Sequence, residues 1–188
     1  AHTVKTLKID AETLQKMDEN FTPFAYQNYA DEDFSALFAQ YPKFKQWFNI
    51  NTNAHKVQGY RIVTISLKRA GVAPGDMTSE EMNLIADLAD QYTFGELRTT
   101  HEQNIALVDV PQKDLFALWQ VLDANNLARA HIGFITDIIC CPGGDFCSLA
   151  NAKSIPISEA ISRRFDDLDT IYNLGKLDLN ISGCMNAC

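Results

Sequence analysis

The sequence predicts an α+β fold in which one sheet carries helices on a single face. Segments with the alternating hydrophobicity of β-strands are separated by segments whose apolar residues recur at helical spacing. Their order over residues 59–130 is β-α-β-β-α. The chain has 188 residues, of which 46% are hydrophobic, so it can bury a sizeable core.

The predicted elements follow one another closely. The first strand covers residues 60–67, "YRIVTISL", where side chains alternate between two faces. Thr78 and Glu81 have the spacing of a capping box, which predicts the start of the first helix. Two further strands, "ELRTT" and "NIALVDV", are joined by a tight turn near His101, and Pro111 opens the second helix. One face of this helix carries Leu115, Leu118, Trp119 and Leu122. This order is typical of a ferredoxin-like half-domain.

The regions on either side of the half-domain are less regular. Residues 1–56 are interpreted as a partly helical lead-in, whose aromatic residues pack against a neighbouring domain and whose first helical run ends at Pro42. Further along, Ser158 is predicted to cap a helix that ends at Gly175. A strand over residues 177–181 then leads the chain to a Ser-Gly-Cys turn.

Charge and hydropathy argue against several classes of function. The net charge of −8 is unfavourable for sequence-independent binding to nucleic acid, which needs many cationic side chains. There is no apolar run of about 18 residues, so no membrane span is expected. The first ten residues lack the apolar core of a signal peptide, and a cytoplasmic location is therefore expected.

All five cysteines lie in the last part of the chain, at Cys140, Cys141, Cys147, Cys184 and Cys188. Disulfide-stapled secreted domains are short and spread their cysteines along the chain. The clustering therefore indicates metal or redox chemistry. Cys141 and Cys147 form a C-x5-C pair, and Cys184 and Cys188 form a C-x3-C pair. The predicted helix and strand between the pairs can bring them together.

Four thiolates brought together in this way suit either zinc or an iron–sulfur cluster. The wide C-x5-C loop favours a 4Fe-4S cluster, because structural zinc sites favour two to four residues within a pair. Gly143, Gly144 and Gly183 would let the backbone approach such a cluster and donate N–H groups to its sulfurs. Cys140 is interpreted as a small apolar residue beside the site, because C-x5-C selects Cys141. Zinc binding and idle buried thiols stay open at this point.

The motifs "CPGGDFC" and "SGCMNAC" resemble those of the sirohaem-containing nitrite/sulfite reductase family, specifically of its haemoprotein subunit. The segment "ELRTTHEQNIALVDV" is similar to the strand pair that leans over the tetrapyrrole in this family. Members of the family are much longer and contain two copies of a half-domain plus reductase module. The sequence resembles the middle of such a protein, around the second copy, and is expected to be a fragment of one.

The resemblance implies ligands for a 4Fe-4S cluster, namely Cys141, Cys147, Cys184 and Cys188. The last of them, Cys188, would also bridge to the iron of sirohaem. The half-domain would span residues 57–130, and residues 131–188 would be the start of the cluster- and sirohaem-binding domain, truncated here.

Sirohaem carries many carboxylates, which guanidinium, amide and hydroxyl groups bind well. The family's strand pair offers such groups at Arg98, Thr100, Gln103 and Asn104. For Arg98, the alternative is a surface charge on a half-exposed strand. Arg61 and Lys68, on or just after the first strand, are interpreted as structural.

The activity that the resemblance implies is the six-electron reduction of sulfite to sulfide or of nitrite to ammonia. The implied partners are the small anion and an electron donor, either ferredoxin or an NADPH-linked flavoprotein. No residue of this sequence is assigned a catalytic role. Two alternatives remain: an iron–sulfur electron-transfer or sensing module without tetrapyrrole, and a zinc-stabilised interaction domain.

Overall fold

The computed structural model describes residues 9–21 and 23–187 and contains a four-stranded antiparallel sheet. In spatial order the strands are β1 (Thr52–Ala54), β2 (Tyr60–Ile65), β4 (Ile105–Pro111) and β3 (Arg98–Thr99). The helices in this part of the chain are α1 (Ala11–Glu19), α2 (Ser35–Gln40), α3 (Pro42–Asn51), α4 (Ser79–Tyr92) and α5 (Leu115–Ala124). Within the described ranges, no helix is long and apolar enough to cross a membrane.

The predicted ferredoxin-like half-domain is confirmed, because β2, α4, β3, β4 and α5 follow one another in the predicted order. The capping box of α4 is also present: the Glu81 N–H donates to Thr78 Oγ1 at 3.2 Å, and the Thr78 N–H donates to Glu81 Oε2 at 2.8 Å. The second helix starts later than predicted. Pro111 is the last residue of β4, and a 3-10 turn over Gln112–Asp114 precedes α5.

One apolar cluster forms the core of this part of the chain. It contains the predicted buried face of α5 together with side chains from β2, α4 and β4. Phe34, Phe44 and Trp47 from the lead-in belong to the same cluster. The neighbour against which these aromatic residues pack is therefore the half-domain itself. As predicted, α2 ends before Pro42, which is the first residue of α3, whereas β1 was not predicted.

Side-chain hydrogen bonds hold the extended segment before α2 against the half-domain. The Asp31 carboxylate accepts hydrogen bonds from the Gly59 N–H at 3.1 Å and from Gln112 Nε2 at 2.7 Å. The Tyr26 hydroxyl donates to Asp109 Oδ1 at 2.7 Å, and burial together with this carboxylate raises the pKa of Tyr26 to about 12. These side-chain contacts hold the segment in place, although its described residues form no helix or strand of their own.

The elements after α5 are short: β5 (Ile139–Cys140), α6 (Gly143–Phe146), α7 (Ile155–Arg164), α8 (Leu168–Leu174) and β6 (Asn180–Ile181). The single helix predicted from Ser158 to Gly175 is wrong. Asp167 starts a second helix, since its carboxylate accepts the Thr170 N–H at 3.0 Å. Ser154 occupies the N-cap position of α7, and Ser158 is buried within that helix. Gly175 ends α8 as predicted, with a φ of 78°.

Candidate functional site

Two short parallel strands bring the two cysteine-bearing segments together. β5 and β6 pair so that Cys140 lies beside Ile181, and the Cys141 N–H donates to the Ile181 carbonyl at 3.1 Å. The strand predicted over residues 177–181 is regular only at its last two residues. Because parallel strands end at the same edge, Cys141 and the turn at residues 182–184 meet there.

The Cys141 thiol lies among hydrogen-bonding groups of both segments. The Gly183 N–H donates to Cys141 Sγ at 3.1 Å, and the Ser154 hydroxyl oxygen lies 3.3 Å from the same sulfur. These contacts, the serine first, lower the pKa of Cys141. The neighbouring Cys140 is buried, and burial raises the pKa of its thiol, as befits a small apolar residue beside the site.

Two of the other predicted ligands, Cys147 and Cys184, lie in the loops around this edge. Cys147 follows α6 and donates its N–H to the Gly143 carbonyl at 2.8 Å. Cys184 donates its N–H to Ser182 Oγ at 3.4 Å, and both cysteines are half-buried. Cys188 lies outside the described residues. Among the residues that the structure describes, no three His, Cys, Asp or Glu side chains are grouped as metal ligands, so the four-cysteine site stays a prediction.

Two glycines allow the loops around the site to pack closely. Gly143 has a φ of +56°, and a Cβ on it would lie 2.1 Å from Ser154 Oγ and 2.6 Å from Ser154 N. A Cβ on Gly183 would lie 2.5 Å from the Ala152 carbonyl oxygen. A Cβ on Gly144 would lie 3.5 Å from that oxygen, an ordinary contact. Gly143 and Gly183 are therefore needed for loop packing, whatever the site binds.

We expect Gly143→Ala to lower the free energy of unfolding by about 1–3 kcal/mol, because it combines a left-handed backbone with a steric clash. Gly144→Ala, one residue further on, is the matched control and should change stability by less than about 0.5 kcal/mol. Urea denaturation of both variants measures the difference. Equal losses in the two variants would contradict the packing role of Gly143.

The turn between β3 and β4 contains Gln103 and Asn104, two of the residues predicted to bind sirohaem. Gln103 Nε2 donates to the Cys140 carbonyl at 2.8 Å, and Asn104 Nδ2 donates to Asp137 Oδ1 at 3.0 Å. Both amide groups thus bind the segment that leads into the cysteine motif. The Thr100 hydroxyl accepts the Asn104 N–H at 3.2 Å within the turn.

Arg98 is the most accessible of the residues predicted to bind sirohaem. Its side chain is 64% exposed, and its guanidinium is 3.8 Å from the Glu96 carboxylate. A guanidinium so exposed is available to a ligand, but it also fits the alternative of a surface charge on an edge strand. The sirohaem contacts of Arg98, Thr100, Gln103 and Asn104 therefore stay predictions.

A buried ion pair that the sequence did not indicate lies next to this turn. Lys68 Nζ is 3.0 Å from Asp137 Oδ1 and 2.9 Å from Asn104 Oδ1, and it also donates to the Glu102 carbonyl. The Lys68 and Asp137 side chains are 1% and 4% exposed. Burial lowers the pKa of Lys68, and the Asp137 carboxylate limits that decrease. The structural role expected for Lys68 agrees with this arrangement.

A buried histidine lies beside the ion pair. His131 Nε2 is 2.6 Å from Ser66 Oγ, and His131 Nδ1 is 2.8 Å from Thr136 Oγ1. The pKa of His131 is lowered to about 3, mainly by burial and secondly by the positive charge of Arg129. The imidazole is therefore neutral in the folded protein over the physiological range.

We expect the neutral His131 to make the fold less stable in mild acid. The pKa of histidine is about 6.5 in the unfolded chain and about 3 at His131 in the folded chain. Between these two pH values the unfolded chain binds a proton at His131 that the folded chain does not. The free energy of unfolding therefore decreases as the pH falls through this window. Urea titrations of wild type and His131→Gln isolate this contribution from those of carboxylates. The difference in the free energy of unfolding between wild type and His131→Gln should change by up to about 1.4 kcal/mol per pH unit in this window. A difference independent of pH would contradict the assignment.

Comparisons with known proteins agree with the observed fold. The family described as "Nitrite/Sulfite reductase ferredoxin-like half domain" matches residues 59–125. The solved structure of the Mycobacterium tuberculosis NirA protein matches 74% of this chain and 25% of that chain, with a TM-score of 0.54 and 26% identity.

Several reductases of nitrite or sulfite are similar to this chain in sequence. The assimilatory ferredoxin-dependent nitrite reductase of Haloferax mediterranei is 31% identical over 122 residues, which are 62% of this chain and 20% of the relative. The protein named sulfite reductase (ferredoxin) 1 of Mycolicibacterium paratuberculosis is 26% identical over 136 residues, 69% of this chain and 24% of the relative.

The strand order, the helices and the matched segment define a ferredoxin-like half-domain of the kind found in nitrite and sulfite reductases. Residues 59–125 match the half-domain of this family, and the relatives named above are reductases of sulfite or nitrite. The chain spans between 20% and 25% of the length of these three relatives.

Proposed function

We propose that this chain contributes the cluster-binding part of a sirohaem- and 4Fe-4S-dependent reductase of sulfite or nitrite. In this reaction, six electrons and eight protons convert sulfite to hydrogen sulfide and three waters, or nitrite to ammonium and two waters. Ferredoxin or an NADPH-linked flavoprotein would supply the electrons; the two relatives described above carry ferredoxin in their names. A cytoplasmic location, where thiols stay reduced, is part of the proposal.

The observation that carries the proposal is the meeting of Cys141 with the Gly183–Cys184 turn at the ends of two parallel strands. Backbone N–H groups that donate to cysteine sulfur are a feature of iron–sulfur sites, where they tune the cluster. The Gly183 N–H already lies 3.1 Å from Cys141 Sγ. The donor set therefore fits a cluster held by thiolates.

In this proposal the residues have separate tasks. The thiolates of Cys141, Cys147, Cys184 and Cys188 would hold the cluster, and that of Cys188 would also reach the sirohaem iron. The cluster and sirohaem, when bound, would supply electron transfer and a binding position for the anion. Arg98, whose guanidinium is exposed beside the Glu96 carboxylate, would pair with a carboxylate of the tetrapyrrole. Cys140 would exclude water from the buried side of the site.

The test is anaerobic reconstitution of the 188-residue chain with ferrous iron and sulfide, followed by metal and sulfide analysis. About four iron and four sulfide per chain, with the electron paramagnetic resonance signal of a reduced cluster, would support the proposal. Binding of zinc without labile sulfide would refute it. Tetrapyrrole extraction from the longer polypeptide, expressed with this segment intact, tests the sirohaem part.

A second candidate is an iron–sulfur electron-transfer or sensing module without tetrapyrrole. It is favoured by the internal hydrogen bonds of Gln103 and Asn104, whose amides already bind the chain. It predicts iron and sulfide in the reconstituted protein, no extractable sirohaem, and no effect of Arg98→Ala on cofactor content.

A further inference from the structure

The side chain of Gln103 makes a two-way contact with the backbone just before the proposed ligand Cys141. Gln103 Nε2 donates to the Cys140 carbonyl at 2.8 Å, and the Cys140 N–H donates to Gln103 Oε1 at 3.0 Å. One amide therefore satisfies both backbone groups of Cys140. A neighbouring strand would make the same pair of hydrogen bonds.

The pairing of β5 explains why Cys140 needs this partner. The N–H groups of Ile139 and Cys141 donate to carbonyls of the β6 segment, at 3.0 Å and 3.1 Å. In an extended strand, the backbone groups of the intervening residue face the opposite side. Cys140 is 4% exposed, so its N–H and carbonyl would be buried and unpaired without Gln103. Each unpaired buried group costs about 1–3 kcal/mol.

The backbone of Gln103 is itself held in an uncommon conformation. Its φ is 58°, which is in the left-handed region that residues other than glycine and asparagine seldom adopt. The loop before α4 packs on it, since a Cβ on Gly75 would lie 3.2 Å from Gln103 Cβ. Asn104, the next residue, binds Asp137 three positions before Cys140. The turn thus forms hydrogen bonds with the segment before Cys141 at two positions, Asp137 and Cys140.

We propose that Gln103 is a positioning residue for Cys141, which fixes the Cys140 peptide and so directs the Cys141 thiolate toward its binding partner. This inference rests on the proposed function, in which Cys141 is a cluster ligand. It gives Gln103 a role through the protein backbone rather than through contact with a tetrapyrrole. Residues that orient metal ligands in this way change metal affinity by about 10–100-fold when they are replaced.

The first test uses the metal-free 188-residue chain and measures hydrogen exchange at the Cys140 amide. Gln103→Asn keeps an amide and suits the left-handed backbone better, but it is one methylene too short to reach Cys140. We expect exchange at Cys140 to accelerate about tenfold or more in Gln103→Asn and in Gln103→Ala. His101→Ala, an exposed position in the same turn, is the control and should leave exchange unchanged. Wild-type protection of Cys140 in Gln103→Asn would overturn the proposal.

The second measurement follows the release of iron from the reconstituted chain to a chelator. We expect release to be about tenfold faster or more in Gln103→Asn than in wild type or His101→Ala. Release that is equally slow in Gln103→Asn and His101→Ala overturns this inference alone. A wild-type chain that takes up no iron overturns the proposed function, and the ligand-positioning role with it.

Discussion

Cys141→Ser is expected to abolish cluster binding by the reconstituted chain, reducing iron and sulfide from about four each per chain to background. The physical reason is that a serine hydroxyl stays protonated and cannot replace a thiolate ligand, whereas the environment of Cys141 lowers the pKa of the thiol. Iron and labile-sulfide analysis measure the effect, and the urea midpoint verifies that the variant is folded.

Cys140→Ser is the matched control for this loss. Cys140 is adjacent in sequence and its Sγ donates to the Cys141 carbonyl at 3.3 Å, a contact that a hydroxyl can also make. The control should therefore keep its iron. If Cys140→Ser loses the cluster while Cys141→Ser keeps it, the C-x5-C assignment is wrong.

Asp137→Asn is expected to lower the free energy of unfolding by about 3–5 kcal/mol, as breaking one half of a buried ion pair does. Asp137 Oδ1 accepts from both Lys68 and Asn104, and Oδ2 accepts the Gly133 N–H at 3.0 Å. An amide cannot accept at both positions, and it leaves the Lys68 ammonium buried without a carboxylate. Urea denaturation near neutral pH measures the loss.

Two further variants test this explanation. Asp166→Asn removes a carboxylate that lies 2.6 Å from Arg129 but is 59% exposed, so it should cost less than about 1 kcal/mol. Adding Lys68→Met to Asp137→Asn should cost little more, because the uncompensated charge is then gone. Additive losses in the double variant would show that the two side chains are not coupled.

Local patterns were sufficient to predict the half-domain. The capping box at Thr78 and Glu81 and the apolar spacing along α5 depend on neighbours a few residues away, and both are present in the structure. Similar local signals occur at the starts of α7 and α8, where the sequence had predicted a single helix. Pro156 lies in the first turn of α7, and Asp167 with Thr170 has the spacing of an N-cap.

The roles of the polar side chains depended on contacts distant in sequence. Gln103 and Asn104 were predicted to bind a cofactor because amides suit carboxylates, yet their partners in the structure are Cys140 and Asp137, more than thirty residues away. The buried Lys68 was interpreted as structural, but its partner was not identified. Nothing in a strand's periodicity specifies which segment covers its polar face.

If the cysteine site holds a cluster as proposed, the parallel pairing of β5 and β6 links the folding equilibrium to cofactor binding. The two halves of the cysteine site belong to segments about forty residues apart that meet only in the folded chain, through the short strands β5 and β6 and the contacts of Gly183, so an unfolded chain has no preformed site. Any group bound across both segments then stabilises the native state, by about 2.7 kcal/mol when its free concentration is 100 times its dissociation constant. On the proposed function, iron supply would then affect the lifetime of the protein, because the metal-free chain would open this edge more often and expose its thiols to oxidation.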